Sequence, residues 1–323
     1  MRILSQKDIQ ACIDMKQAID LMEDAFSELS TGEGEVPVRH VLQNKSTETT
    51  ALFMPASMPL NQSLGLKVVG MNPQNLNKNL PFISAIILLL DTETGQPLAL
   101  MEASWITALR TGAGSGLATK YLAKEKAENV LIFGAGVQAK TQLEAVCTVR
   151  NVSNVKVINK TPSKAKAFIE EMSSKLHLPV SIGTEKDIKS ADIICTATTT
   201  TDPLFTHNQL KEGVHINAVG AYTPSMSEVP PETIAASRLV IDRKDACLHE
   251  AGDIVKALDA GLITEEALNC EIGEIAAGKK PGRRNDKEIT VFKSVGNAAQ
   301  DLVVAQFVFQ QAIANNLGTT FKL

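Results

Sequence analysis

Cysteine is scarce and unpaired in pattern. Cys12, Cys147, Cys195, Cys247 and Cys270 are scattered through 323 residues, and none forms a CxxC pair. That spacing offers neither a disulfide framework nor a zinc site, and it fits reduced thiols in the cytoplasm. No metal site is expected. No apolar run approaches the roughly 20 residues that span a bilayer. The first residues lack the charged-then-apolar pattern of a secretory leader, so no membrane or export step is expected. Basic residues form no long patch and the formal net charge is −4, which argues against nucleic acid as a partner. The five histidines are also scattered, and His215 falls in a predicted strand as a structural residue. What remains is ordinary for a globular protein, with 44% hydrophobic and 21% charged residues and length enough for two domains.

Against these absences one stretch stands out, Val130-Leu131-Ile132-Phe133-Gly134-Ala135-Gly136-Val137-Gln138-Ala139. Four apolar residues predict a buried strand. From Gln138 to Arg150 the apolar residues Leu143, Val146 and Cys147 recur at helical spacing. A G-x-G-x-x-A motif between a strand and a helix is the context for dinucleotide binding. Gly134 permits the tight turn, and Gly136 has no side chain to hold the backbone away from a pyrophosphate. Ala135, Val137 and Gln138 complete the turn, and Ala139 lets helix and sheet pack closely. The helix N-terminus offers N–H groups and a positive dipole end to phosphates. The competing reading is an ordinary tight βα turn.

The next strand, Val155-Lys156-Val157-Ile158, ends at Asn159-Lys160-Thr161. An acidic residue here would bind the ribose 2′-OH of NAD. An amide, a cation and a hydroxyl stand there instead, a set able to hold a 2′-phosphate. NADP(H) is therefore the expected cofactor, with NAD(H) also possible. The alternative makes Lys160 a solvated surface lysine.

Around this centre the chain divides in character. Ser5 to Ile13 predicts a short helix. Asp14 and Gln17 form a capping box for a second, whose stripe is Ile19, Met22, Phe26 and Leu29 and which ends at Gly32 and Gly34. Strands follow near 38–42, 50–54, 64–69, 85–90 and 98–102, with a hairpin loop at 91–95. This pattern predicts an antiparallel or mixed sheet. A helix at 106–122 contains Gly112, Gly114 and Gly116. Each glycine costs up to about 1 kcal/mol against Ala in a helix, so a close backbone or a ligand must offset the loss. From Val130 to Asp242 strands and helices alternate, predicting a doubly wound parallel sheet. Its strand ends would present Thr196, Thr198, Val219 and the Gly220-Ala221-Tyr222 turn to the cofactor. Ala298, Leu302, Ala305, Phe309 and Ala312 form a last helical stripe. This helix is expected to return to the first domain.

The chain resembles the ornithine cyclodeaminase/μ-crystallin family. The resemblance rests on Gly65-Leu66-Lys67-Val68-Val69, Thr94 to Leu100, Thr107-Ala108-Leu109-Arg110-Thr111-Gly112-Ala113, the glycine motif, and Thr290 to Gly296. It implies a Rossmann domain at 116–294 inserted in a second α+β domain, 1–115 plus 295–323, that binds substrate and dimerises. It also implies that Lys67 and Arg110 are catalytic and hold a substrate carboxylate, with Arg39 and Val295 beside it. Thr111 would help to bind the pyrophosphate and Ser294 would lie near the nicotinamide. An arginine fork suits a carboxylate because it pairs both oxygens at once. The plain alternative for each arginine is a surface salt bridge.

One departure directs the choice of reaction. Ornithine cyclodeaminases carry an aspartate after this strand, in a Gly-Gly-Asp-x-Pro-Gly segment, where this chain has Gly220-Ala221-Tyr222-Thr223-Pro224-Ser225. Cyclising ornithine requires a neutral distal amine, and a tyrosine with a pKa of about 10 is a poor base near neutrality. Glu228 matches a glutamate that cyclodeaminases also have, so it does not replace the aspartate. The expectation is a reductase of a preformed cyclic imine, Δ1-pyrroline-2-carboxylate or its six-membered homologue. Ornithine cyclodeaminase, alanine dehydrogenase and a non-enzymatic NADPH-dependent binding protein remain open. The expected partners are a small imino or amino acid and a second copy of the chain.

Overall fold

The computed structural model describes residues 1–322. In chain order the strands and α-helices begin with β1 (Arg2–Leu4), α1 (Gln6–Gln10), α2 (Met15–Thr31), β2 (His40–Asn44) and β3 (Thr49–Met58). They continue through β4 (Ser63–Met71), β5 (Ile83–Leu90), β6 (Pro97–Glu102), α3 (Ser104–Leu122), β7 (Asn129–Phe133) and α4 (Val137–Val149). Next come β8 (Asn154–Ile158), α5 (Pro162–Leu176), β9 (Val180–Ile182), β10 (Ile193–Thr196), β11 (His215–Ala218), α6 (Pro231–Ala236) and β12 (Arg238–Ile241). The remainder are α7 (Lys244–Glu250), α8 (Gly252–Asp259), α9 (Ile272–Ala276), β13 (Thr290–Lys293), α10 (Ala298–Ala314) and β14 (Thr319–Thr320). The chain separates into two units, Met1–Arg110 with Asn297–Leu323, and Thr111–Gly296. The sequence placed these limits at 115 and 295. The observed division falls inside the continuous helix α3, which has no break to mark it.

The first unit is a seven-stranded sheet, ordered β14-β1-β6-β5-β4-β3-β2. Its central pairs are antiparallel, while β1 lies parallel to β6, so the sheet is mixed. Alternation sets its two faces. Met54, Ala56 and Met58 of β3, Lys67 and Val69 of β4, Ile87 and Leu89 of β5 and Met101 of β6 are buried. Helices α2 and α10 pack together, and α10 covers β3, β4 and β5. Helix α2 starts at the Asp14–Gln17 capping box and stops at Gly32, whose φ of 82° is left-handed. The strand expected near 50–54 runs on through Pro55 to Met58. Pairing of β2 with β3 runs only from Asn44↔Thr49 to His40↔Phe53. Pro55 therefore sits where that side of β3 has no ladder partner, and its missing N–H costs nothing. Strands β1 and β14 were too short to announce themselves.

The second unit is a seven-stranded, wholly parallel sheet ordered β12-β13-β11-β10-β7-β8-β9. Successive residues of β7 feed opposite cores. Val130 and Ile132 pack with Leu143, Val146 and Phe168, while Leu131 and Phe133 pack with Ile216, Ile241 and Ile254. Helices on both faces explain why these strands read as continuous apolar runs. The strand order reverses between β7 and β10, and ligands of such sheets bind at the carboxyl ends beside that reversal. The fold is therefore a Rossmann sheet inserted in an α+β domain. One glycine of α3 also finds its reason. A Cβ on Gly112 would stand 2.6 Å from the Thr141 carbonyl oxygen, so the absent side chain lets α3 approach the backbone of α4.

Candidate functional site

In the Rossmann unit the glycine motif forms the β7–α4 turn. Gly134 has a φ of 106°, and a Cβ there would meet the Ala197 carbonyl oxygen at 2.5 Å. Glycine is required on both counts. Gly136 caps α4 with extended backbone, is exposed, and has open space where a Cβ would stand. Val137 is exposed, Ala135 and Gln138 are half-buried, and Ala139 is fully buried against the sheet. The N-terminus of α4 thus presents backbone N–H groups beside open space, which suits a pyrophosphate. Thr111 is half-buried, and its carbonyl accepts from Gln142 Nε2 at 3.3 Å. Asn159 Nδ2 donates to the Thr161 carbonyl at 2.9 Å, while Lys160 and Thr161 are exposed.

The other strand ends are held by buried carboxylates. Glu228 accepts from Thr196 Oγ1 at 2.8 Å, Thr198 N at 2.6 Å, Thr198 Oγ1 at 2.8 Å and Gly220 N at 2.8 Å. Thr196 is fully buried, so its hydroxyl serves Glu228. Thr198 is half-buried, and Val219 is buried with its N–H on the Thr196 carbonyl. Asp242 accepts from Ser294 Oγ at 2.8 Å, Val295 N at 2.9 Å and Gly296 N at 2.7 Å. His215 is buried between Thr290 and Asn217. Burial, with help from Arg283, pushes its pKa down to about 3, which keeps it neutral and structural. Burial also raises the pKa of Tyr222, moving it further from use as a base.

The first unit gathers the basic residues. Lys67 of β4 has Met54 and Ile87 as cross-strand neighbours and lies on the buried face. Its Nζ donates to Asp301 Oδ2 at 2.5 Å, and Arg110 Nε donates to Asp301 Oδ1 at 3.0 Å. Arg110 Nη1 donates to Gln300 Oε1 at 3.0 Å, and that oxygen also accepts the Asn297 N–H in the capping box of α10. Asp301 is thus a fully buried carboxylate in the first turn of α10, where the helix dipole favours negative charge. Burial pushes the Lys67 pKa down. Asp301 opposes that, Arg110 and Arg39 add to it, and the result is about 7. Arg39 is half-buried and close enough for its charge to be felt.

Sequence reasoning missed Asp301 and Gln300. The signal was present, because the stripe Ala298, Leu302, Ala305 places Asp301 on the same apolar face. A charge inside an apolar stripe needs a buried partner. Among the described residues no group of three or more His, Cys, Asp or Glu is arranged to hold a metal, and no helix is long and apolar enough to cross a membrane.

Comparison with known proteins gives this arrangement its context. A Δ1-pyrroline-2-carboxylate reductase of Bacillus cereus is 39% identical over 321 residues, covering 98% of each chain. The structure of Thermococcus litoralis Δ1-pyrroline-2-carboxylate reductase in complex with NADH and L-proline is 42% identical. It superposes with a TM-score of 0.95 over 99% of this chain and 100% of its own. An archaeal alanine dehydrogenase dimer with bound NAD is 34% identical, with a TM-score of 0.94 over 100% and 99% of the two chains. The ornithine cyclodeaminase/mu-crystallin family profile matches residues 1–316. With its glycine turn, its inserted parallel sheet and Lys67 and Arg110 joined on one carboxylate, the chain belongs to the ornithine cyclodeaminase/mu-crystallin family.

Proposed function

We propose that the protein reduces cyclic α-imino acids with a nicotinamide dinucleotide, taking Δ1-pyrroline-2-carboxylate to L-proline and accepting the six-membered homologue. The observation that carries this reading is the buried Lys67–Asp301–Arg110 cluster. Two cations share one carboxylate, with Arg39 nearby. The surplus positive charge suits an anionic substrate, and an arginine orients a carboxylate through paired hydrogen bonds. A lysine with a pKa of about 7 gives and regains a proton readily at neutral pH. The dinucleotide, when bound, supplies hydride to the imine carbon. Lys67 supplies the proton that the ring nitrogen acquires, and Asp301 keeps its ammonium form populated. Arg110 and Arg39 hold the carboxylate, and Ser294 of the second unit adjoins the nicotinamide. Tyr222, with its raised pKa, offers no base for a distal amine, so a preformed ring is the better substrate.

The cofactor reading rests on the glycine turn and on the end of β8. Gly134 to Ala139 and Thr111 receive the pyrophosphate, with Thr196, Thr198 and Val219 at the neighbouring strand ends. Asn159, Lys160 and Thr161 include no carboxylate that would repel a 2′-phosphate, so NADPH is placed first. NADH is placed second, since the Thermococcus relative is described with it. A homodimer forms through the first unit. Ile83 and Ile86 are exposed, and Leu64, Leu66, Val68, Leu88 and Leu90 are half-buried on the sheet face turned away from the core. A contiguous apolar face of this kind calls for a partner. All five cysteines are free, in keeping with a cytoplasmic location.

The test is a substrate panel with the purified protein. Loss of NADPH or NADH absorbance is followed with the pyrroline substrate and with pyruvate plus ammonia, and ammonia release is followed with ornithine. Fast imine-dependent loss is expected. Ornithine deamination without imine-dependent cofactor loss would replace the reductase with a cyclodeaminase.

A further inference from the structure

We propose that Glu228 is a positioning residue for the dinucleotide cradle, setting the loops after β10 and β11 through its buried carboxylate. This deepens the cofactor part of the proposed function and rests on it. Each carboxylate oxygen takes one backbone N–H, Thr198 N on Oε1 and Gly220 N on Oε2, and one threonine hydroxyl. The peptide so held touches the glycine motif. A Cβ on Gly134 would meet the Ala197 carbonyl oxygen at 2.5 Å and Thr198 Cγ2 at 3.5 Å. Gly220 is equally close, since a Cβ there would lie 2.4 Å from both the Thr198 carbonyl oxygen and Glu228 Oε1. A displacement of Glu228 therefore passes through residues 197–198 to the turn that faces the pyrophosphate.

The carboxylate is itself fixed from behind. Asp253, in the first turn of α8, accepts the N–H groups of Glu228 and Val229 at 2.6 and 3.0 Å. Its other oxygen pairs with Lys293 Nζ at 2.8 Å, with both side chains fully buried. Lys293 ends β13, and the residues after it are the Ser294–Gly296 segment held by Asp242. Three strand ends of the crevice are thus joined through buried charge. Such groups are costly to bury unless fully hydrogen-bonded, and here the bonds end on the strand ends β10 and β13 and on the loops after β10 and β11.

Glu228→Gln preserves shape but not pattern. Whichever way the amide turns, its NH2 group faces either Thr198 N–H or Gly220 N–H. Thr196→Val keeps the volume and removes one donor. Because Thr196 is fully buried, its side chain reaches a cofactor only through Glu228. Titration of purified protein with NADPH and NADH, read by dinucleotide fluorescence without substrate, is expected to show a Kd raised roughly tenfold in Glu228→Gln and roughly threefold in Thr196→Val. The imino-acid KM at saturating dinucleotide stays within about twofold, as for an effect confined to the cofactor. Wild-type dinucleotide affinity in either folded variant overturns the proposal, and so does an imino-acid KM that rises with the cofactor Kd. Should Glu228→Gln fail to fold, Thr196→Val decides alone. A wild-type chain that binds dinucleotide but leaves the imine unreduced would overturn the substrate reading and leave this inference intact.

Discussion

The two units each bury a charged cluster, and the clusters have opposite balances. In the first unit one carboxylate, Asp301, serves both Lys67 and Arg110, with Arg39 close enough to depress the lysine further. In the second unit three carboxylates, Glu228, Asp242 and Asp253, have one buried lysine, Lys293, and their remaining bonds come from backbone N–H, hydroxyl and thiol donors. The cationic cluster has charge left over. The anionic one has its charge consumed in holding loops. A buried ion group with a surplus is poised to take a ligand of opposite sign, whereas a saturated one builds shape.

The comparison is tested most severely at Arg110. Arg110→Ala removes the surplus charge from the proposed substrate site and leaves the Rossmann unit untouched. It is expected to lower kcat/KM for the imino acid roughly a thousandfold, the usual order for a charged partner in a desolvated site, with dinucleotide Kd unchanged. Near-wild-type kcat/KM would take Arg110 out of the mechanism.

Asp301→Asn sharpens the same contrast by raising the surplus. The proposed proton step uses the Lys67 ammonium, which is lost as pH rises through about 7, so kcat/KM should fall above that value. Asp301 raises the Lys67 pKa, and without it the alkaline limb should move to lower pH by roughly one unit or more. The variant is also expected to lose about 3 kcal/mol of stability, since it leaves the buried Arg110 guanidinium without its carboxylate. A pH–rate profile and a denaturation curve check both parts. An unmoved limb would separate Asp301 from the proton step.

The smallest effect is expected at the exposed edge of the second unit. Lys160→Ala should raise the KM for NADPH roughly tenfold while that for NADH changes little, because only the 2′-phosphate would meet the lysine. Equal changes for the two cofactors would dismiss the 2′-phosphate argument.

Legibility in the sequence followed the range of the interactions. The capping box of α2, the glycine turn and the existence of β4 and β5 depend on neighbours within a few residues, and they were readable. Gly112 of α3 could be seen as a cost but not explained, because the compensating carbonyl is that of Thr141. Lys67 and Arg110 stood out through the family resemblance. Their shared partner, Asp301, lies 234 and 191 residues away along the chain, and only folding brings them together. Glu228 was legible only as a residue set aside, and its positioning bonds were not. It was weighed as a substitute base for the aspartate position, whereas its four donors mark it as a fixed acceptor. Strands β1 and β14 escaped because two or three residues carry no period.

The discontinuity of the first unit has a consequence for how the protein is made. Residues 111–296 form one unit, and residues 297–322 leave the ribosome only after all of them. Domains fold as units during synthesis, so the Rossmann unit can close while the first sheet still lacks α10 and β14. Until α10 arrives, Lys67 and Arg110 have no Asp301, and the face of β3, β4 and β5 that α10 covers stays bare. Every strand of the parallel sheet is therefore made before the last helix, whereas the basic cluster has to wait for that helix to supply its carboxylate.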